Sequence, residues 1–144
     1  MMRIRIDLES NPSGTAQQKG TSVQHGRVHH YEKANVRALR QLYHHKIFKF
    51  LYENKIHVQK IDGPVRLSVL FNFSIKQKSK WGMPKDTRPD CDNIVKLLQD
   101  VLTDLEFWND DGQIAMLQVC KFYAEKPSVI IDVEPYIALR RDEP

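Results

Sequence analysis

The segment RPDCDNIVKLLQDVLTDLEFWNDD, from Arg88 to Asp111, constrains this chain more than any other. It joins the densest acidic cluster of the sequence to an apolar helical stripe. Proline biases the residue before it towards an extended conformation, so Arg88-Pro89 reads as the end of a loop. Asp92 then reads as the N-cap of a helix that begins at Asn93. Within that helix Ile94, Leu97, Leu98, Val101, Leu102 and Leu105 recur at the spacing of a buried face. Asp92, Lys96 and Asp100 stand four apart and fall on the opposite face. The helix therefore has one side that must be covered and one side that carries charge. Asp110 and Asp111 follow a short turn, just ahead of the next apolar run. From there the chain could carry them back towards Asp90 and Asp92.

Carboxylates brought together repel, and each resists ionising unless a cation sits among them. A hard divalent ion such as Mg²⁺, with Mn²⁺ as a substitute, suits oxygen donors of this kind. Lys96 lies one helical turn beyond Asp92. It either offsets the acidic cluster or stabilises charge that develops on a phosphate. The plainer reading is a capped surface helix whose Asp and Lys side chains are merely solvated. D-x-D alone would favour that reading. D-x-D-N-x-x-K on a capped helix, closed by a double Asp before the next strand, favours the metal site.

Charge is divided along the chain. The net formal charge is +4. Residues 1–89 hold 17 Lys and Arg against 6 Asp and Glu, a net +11, whereas residues 90–144 hold 5 against 12, a net −7. A basic half joined to an acidic half suits an enzyme that attracts phosphate with one part and holds a cation with the other. The length of 144 residues predicts a single domain over 1–144. No apolar run reaches the length of about eighteen residues needed to span a membrane. MMRIRIDLES is too charged for a signal peptide. Cys91 and Cys120 make no disulfide framework, and a reduced, cytoplasmic setting is expected.

Elsewhere the pattern predicts alternating strands and loops around one further helix. Arg3 to Glu9 alternates as a strand. Residues 11–31 read as a long loop, with His25-Gly26 turning a small hairpin between Ser22-Val23 and Val28-His29. Lys19, Arg27, His29 and His30 make this segment a candidate DNA-contacting arm. A helix is expected from Glu32 to about Tyr52, with Val36, Leu39, Tyr43, Ile47 and Phe50 inward and Lys33, Arg37, Arg40 and His44 as a basic stripe. Val65 to Ile75 alternates as the clearest strand of the chain. The loop of residues 76–89 carries Lys76, Lys78, Lys80, Lys85 and Arg88 around Trp81. It is a candidate backbone-phosphate contact with an exposed aromatic for stacking. Gln113 to Tyr123 reads as a strand apolar on both faces. Ala124 to Pro127 turns it into a final hairpin with Ser128–Glu134, and a tail begins at Pro135.

P-D-C-D-N-I-V-K followed nineteen residues after Asp92 by the second Asp of F-W-N-D-D-G-Q-I resembles the RusA family of Holliday junction resolvases, often carried by prophages. The resemblance is strong from Arg88 to Gln113, weaker through the final hairpin and faint in the N-terminal loop. It implies a small homodimeric Mg²⁺-dependent endonuclease of DNA recombination and repair. It also implies that Asp90, Asp92 and Asp111 are the metal-binding acids and Lys96 the essential lysine, with Asp110 ranked below Asp111. Pro89 stands where some family members place a basic residue, and Arg88 sits one position earlier.

The expected fold is α+β, a two-layer sandwich in which two main helices cover one face of a small mixed β-sheet. The expected function is hydrolysis of the DNA backbone, with Asp90, Asp92, Lys96 and Asp111 catalytic and Lys76, Lys78, Lys80, Lys85, Arg88 and Arg27 contacting DNA. The four-way junction as substrate follows from the resemblance alone. Residues and spacings by themselves reach a metal-dependent nuclease. They leave open a nuclease for other branched DNA or RNA, and a DNA-binding module without catalysis.

Overall fold

A computed structural model describes residues 1–12, 19–32 and 34–137. The chain runs β1 (Met2–Asp7), β2 (Lys19–Gln24), β3 (Arg27–Glu32), α1 (Ala34–Glu53), β4 (Val65–Ser74), α2 (Cys91–Asp104), β5 (Ile114–Ala124) and β6 (Ser128–Pro135). Short 3₁₀ turns lie at Lys78–Lys80 and Asp111–Gln113. Four strands form a mixed sheet in the order β1-β6-β4-β5, and β2 pairs with β3 alone. β5 runs parallel to β4, while β6 runs antiparallel to both β4 and β1. Parallel neighbours need a crossover, and α2 is that crossover.

The period-2 pattern of β4 decides which face is covered. Val65, Leu67, Val69, Phe71 and Phe73 are buried, and so are Ile4 and Ile6 of β1 and Val129, Ile131 and Val133 of β6. Onto that face α2 brings Ile94, Val95, Leu97, Leu98, Val101 and Leu102, and α1 brings Val36, Tyr43, Ile47 and Leu51. The other face stays open, with Arg3, Ser68, Leu70, Gln118, Cys120, Ile130 and Asp132 around a shallow depression of about 380 Å³. The two-layer α+β sandwich expected from the sequence is therefore the fold.

Three local readings change. The expected final hairpin does not pair. β4 stops at Ser74 opposite Ala124, so the chain crosses its end and β6 inserts between β4 and β1. Alternation in β6 reports one buried face, not which strands flank it. The N-cap of α2 is Asp90, and the helix begins at Cys91, two residues earlier than Asp92 as cap implied. Asp90 takes the extended backbone of a cap but makes no side-chain capping bond, which leaves its carboxylate unspent. The loop of residues 76–89 is also tied down. Gly82 N and Lys85 N donate to Tyr123 O and Lys121 O, and Tyr123 N donates to Met83 O, so this segment lies along the edge of β5.

Both helices end in a left-handed residue. Beyond α2, Phe107 N donates to Leu102 O and Glu106 N to Thr103 O, with Glu106 at φ 63. Beyond α1, Ile56 N reaches Leu51 O and Lys55 N reaches Tyr52 O, with Lys55 at φ 54. These are Schellman closures, in which an apolar residue packs back on the last turn. The first of them swings Phe107 and Trp108 into the core, both buried. The Trp108 indole N–H donates to Thr103 Oγ1 at 2.8 Å, and its ring meets Phe107 edge-on. The N-terminal hairpin turns at His25 (φ 51) and Gly26 (φ 75), as expected, but extends from Lys19 to Glu32. Two successive positive φ values give the tight turn that suits the strand twist.

Tyr43 is fully buried, and its hydroxyl has no hydrogen-bond partner among the described residues. Burial pushes its ionisation well above the ordinary range. An unsatisfied buried hydroxyl costs about 1–3 kcal/mol. Tyr43→Phe is therefore expected to stabilise the fold by about 1 kcal/mol, read as a higher urea midpoint with unchanged slope. A lower midpoint would mean that the hydroxyl is bonded in solution.

Candidate active site

The start of α2 gathers the first half of the site. Asp90 is its cap, Asp92 stands in its first turn and Lys96 follows one turn later; all three side chains are exposed. Among the described residues none of the three is held by a hydrogen bond or ion pair. The buried stripe of α2 forces this, because side chains three and four apart share a face and the apolar face is taken by the sheet.

The backbone leading into Asp90 is fixed from below. Lys121, half-buried on β5, donates from Nζ to Thr87 O at 2.6 Å and to Pro89 O at 2.7 Å. Cys91 Sγ lies 3.8 Å from Val119 O on the same strand. The Arg88-Pro89 peptide bond is cis. Beside this segment the lysine loop divides into anchors and free charges. Trp81 is half-buried rather than exposed, and its indole N–H donates to Ile75 O at 2.8 Å. The Lys85 ammonium lies 5.2 Å from the Phe73 ring centre and 5.3 Å from that of Tyr123, and it also donates to Thr87. Lys85 thus serves to hold the loop. Lys76, Lys80 and Arg88 are exposed, and Lys78 is exposed with its ammonium 5.8 Å from the Trp81 ring. Arg27 is exposed at the hairpin tip, between Gly26 and Val28. The side chains of Lys19, His29 and His30, and all of Lys33, lie outside the described residues.

The second half of the site lies beyond the other end of α2. Asp110 precedes the 3₁₀ turn and Asp111 opens it, both exposed. A hydrogen bond with Asp110 raises the Asp111 pKa above the ordinary carboxylate value, and partial burial and the charges of Asp110 and Asp100 add to it. Crowding of this kind is what a hard cation relieves, and the donors are the right oxygens for Mg²⁺. The charges that act on Asp111 are those of Asp110 and Asp100. Asp92 and Asp100 are two turns apart, about 12 Å along the axis at 1.5 Å per residue. Among the described residues of one chain, no three acidic, histidine or cysteine side chains come close enough to hold an ion together. The donors fit a divalent ion in type, but a single chain presents them as two groups.

Sequence reasoning missed three contributors. Asp100 was read only as part of the polar face of α2; here it faces Asp111 and lies 3.6 Å from Arg40. Lys121 and Gln113 hold backbone, and no sequence pattern marks that role.

A family model described as endodeoxyribonuclease RusA matches residues 9–134. The crossover junction endodeoxyribonuclease rusA of Lactococcus phage r1t is 35% identical over 133 residues, covering 90% of this chain and 95% of the phage protein. The uncharacterized protein YqaN of Bacillus subtilis (strain 168) is 29% identical over 132 residues, covering 88% of this chain and 92% of that protein.

The raised Asp111 pKa has a signed consequence for stability. Asp111 holds its proton to higher pH in the folded chain than in the unfolded one. That preference favours folding below the ordinary carboxylate pKa and is lost as pH rises through the raised value. Removing the charge should therefore help at neutral pH alone. In metal-free buffer, Asp111→Asn is expected to raise the melting temperature at pH 7 and to leave it nearly unchanged at about pH 3, below the ordinary range. An equal shift at both values would show that Asp111 is not crowded.

Proposed function

The chain belongs to the RusA family of endodeoxyribonucleases, and on that footing we propose that it resolves four-way DNA junctions by paired symmetric cuts in the phosphodiester backbone. The observation that carries the reading is the row Asp90, Asp92 and Lys96, exposed and unspent at the head of α2 beside an anchored lysine loop.

Asp90, Asp92 and Asp111 are the residues that would hold Mg²⁺. An ion held there supplies Lewis acidity and activates water for attack on phosphorus. The chain itself provides the rest. Lys76, Lys78, Lys80 and Arg88 draw in the DNA backbone without regard to sequence. Arg27 offers a further contact from the hairpin tip. Lys96 meets a non-bridging phosphate oxygen as negative charge grows on it, and its ammonium makes no ion pair with a described residue that it would have to break first.

The protein acts as a homodimer in this reading. Two opposed strands of a junction need two equivalent centres, and a two-fold axis supplies them. Separation of Asp111 from Asp90 and Asp92 within one chain supports the same arrangement, in which Asp111 of one copy completes the pair of the other. Ala115, Leu117 and Gln118 on the outer strand β5 are exposed, with Leu117 at 45%, and offer a surface for pairing.

Asp90→Asn, Asp92→Asn and Asp111→Asn are each expected to abolish junction cleavage while junction binding persists in gel-shift assays. Mixing the Asp92→Asn and Asp111→Asn chains then tests the shared centre. A mixed dimer keeps one complete set of acids, so the mixture should nick one strand of the junction. A mixture as inactive as its components would put all the ligands in one chain.

Lys96 acts by placement, not by charge alone. Lys96→Ala and Lys96→Arg should both lose about 10²–10³ in cleavage rate while still binding junction, the usual loss for one positioned donor. Arginine is longer, planar and differently hydrated, so it does not substitute. Near-normal cutting by Lys96→Arg, or rescue of Lys96→Ala by excess Mg²⁺, would reduce Lys96 to a counter-ion.

A further inference from the structure

Gln113, the last residue of the 3₁₀ turn before β5, and Lys121 on β5 use their polar atoms on loop backbone, and each of those loops carries part of the acidic site. The Gln113 side chain makes four hydrogen bonds. Its Oε1 accepts from Asn109 N at 2.8 Å and from Asp110 N at 3.1 Å. Its Nε2 donates to Ile61 O at 2.8 Å and to Gly63 O at 3.0 Å. A primary amide has two donors and two acceptor sites, and here both groups are used in full. The side chain thus ties the Asn109–Asp111 turn to the segment before β4. That segment is itself braced, since Ile61 N donates to Phe107 O. Eight residues further along the chain, Lys121 does the equivalent at the head of α2. Its ammonium reaches Thr87 O and Pro89 O, the two carbonyls flanking Arg88 just before Asp90.

We propose that Gln113 and Lys121 are positioning residues of the nuclease centre, Gln113 for Asp111 and Lys121 for Asp90. This rests on the reading of those acids as metal ligands given above. Neither side chain needs to touch the ion or the DNA. Each acts by fixing the backbone from which a ligand projects. The chemistry of each is specific. Only an amide can accept from two backbone N–H groups while donating to two carbonyls. The Lys121 ammonium has three donors, so it can hold two carbonyls at once, and it carries no acceptor that would compete for the metal. Partners that orient metal ligands typically contribute 10–100-fold to metal affinity or activity.

The alternative for Lys121 is a phosphate contact, and the alternative for Gln113 is fold stability alone. Gln113→Met and Lys121→Met keep length and apolar bulk, so folding is checked by melting and by hydrogen exchange. Four measurements are made on each variant, on the unaltered protein and on Asp111→Asn: Mg²⁺ affinity by calorimetry, amide exchange at Asn109 and Asp110, junction affinity, and kcat for cleavage. Gln113→Met is expected to lose exchange protection at Asn109 and Asp110, and both variants to lose about 10–100-fold in Mg²⁺ affinity and in kcat, with junction affinity within about twofold. Should Gln113→Met melt before it can be assayed, Gln113→Glu retains both acceptor bonds. It loses both donor bonds, and is held to the same Mg²⁺ and kcat criteria, with exchange protection at Asn109 and Asp110 retained. Metal affinity and kcat equal to the unaltered protein, with Asp111→Asn inactive, would overturn the proposal while leaving the nuclease reading intact. For Lys121→Met, weakened junction binding with unchanged Mg²⁺ affinity would make Lys121 a phosphate contact and overturn its part. An Asp111→Asn chain that cuts normally would remove the nuclease reading itself, and the positioning roles with it.

Discussion

Burial of one face of α2 is the constraint on which the rest of the molecule depends. Ile94, Val95, Leu97, Leu98, Val101 and Leu102 leave water against a sheet whose facing residues are equally apolar. Each such side chain contributes about 1.5–3 kcal/mol when fully buried. The interaction is non-directional, but helical geometry makes its consequences directional. Once that stripe is inward, Asp92 and Lys96 have no place except the outer face, and Asp90 must stand at the open helix end. The same burial fixes the crossover between β4 and β5, and with it the level at which Asp111 re-enters the fold. Phe107 and Trp108 then close the lower end, so the chain after α2 is not free to wander.

Electrostatics works against this packing. Asp111 already resists ionisation because of Asp110 and Asp100. The favourable pairs are peripheral: Arg3 with Asp132 at 2.7 Å, and Lys46 with Glu9 at 2.7 Å. Exposed pairs of this kind contribute little to stability. Cationic side chains near the site divide between two tasks. Lys85 and Lys121 face rings and carbonyls, while Lys76, Lys80 and Lys96 face solvent. Sequence counts them alike.

The elements were legible because each is stamped by a local period. β4 alternates at every position but Leu70, α2 repeats at helical spacing, and most of the buried residues are those the patterns nominate, with Leu51 and Val95 buried beyond them and Leu39, Phe50 and Leu105 only partly covered. The His25-Gly26 turn was legible for the same reason, since a two-residue turn demands positive φ and glycine supplies it cheaply. The neighbours of β6 were not. Its alternation is satisfied by any pair of flanking strands, and which pair is chosen depends on where β4 ends. The role of Trp81 was not legible either, because an aromatic among lysines reads the same whether its N–H meets solvent or the carbonyl of Ile75.

By itself the sequence determined most of the secondary structure, the two-layer class and membership of the RusA family. Those properties depend on residue type and on short-range spacing, which the chain carries explicitly. Tertiary structure decided which groups meet. It brought the charge of Asp100 to bear on Asp111, gave Lys85 two rings and a hydroxyl as partners and Lys121 two loop carbonyls, and gave Gln113 four backbone partners. Hydrogen bonds and Coulomb terms act over a few ångströms in space, between residues as far apart in the chain as Gln113 and Ile61. No linear spacing records such a distance, because it exists only after the apolar faces have closed.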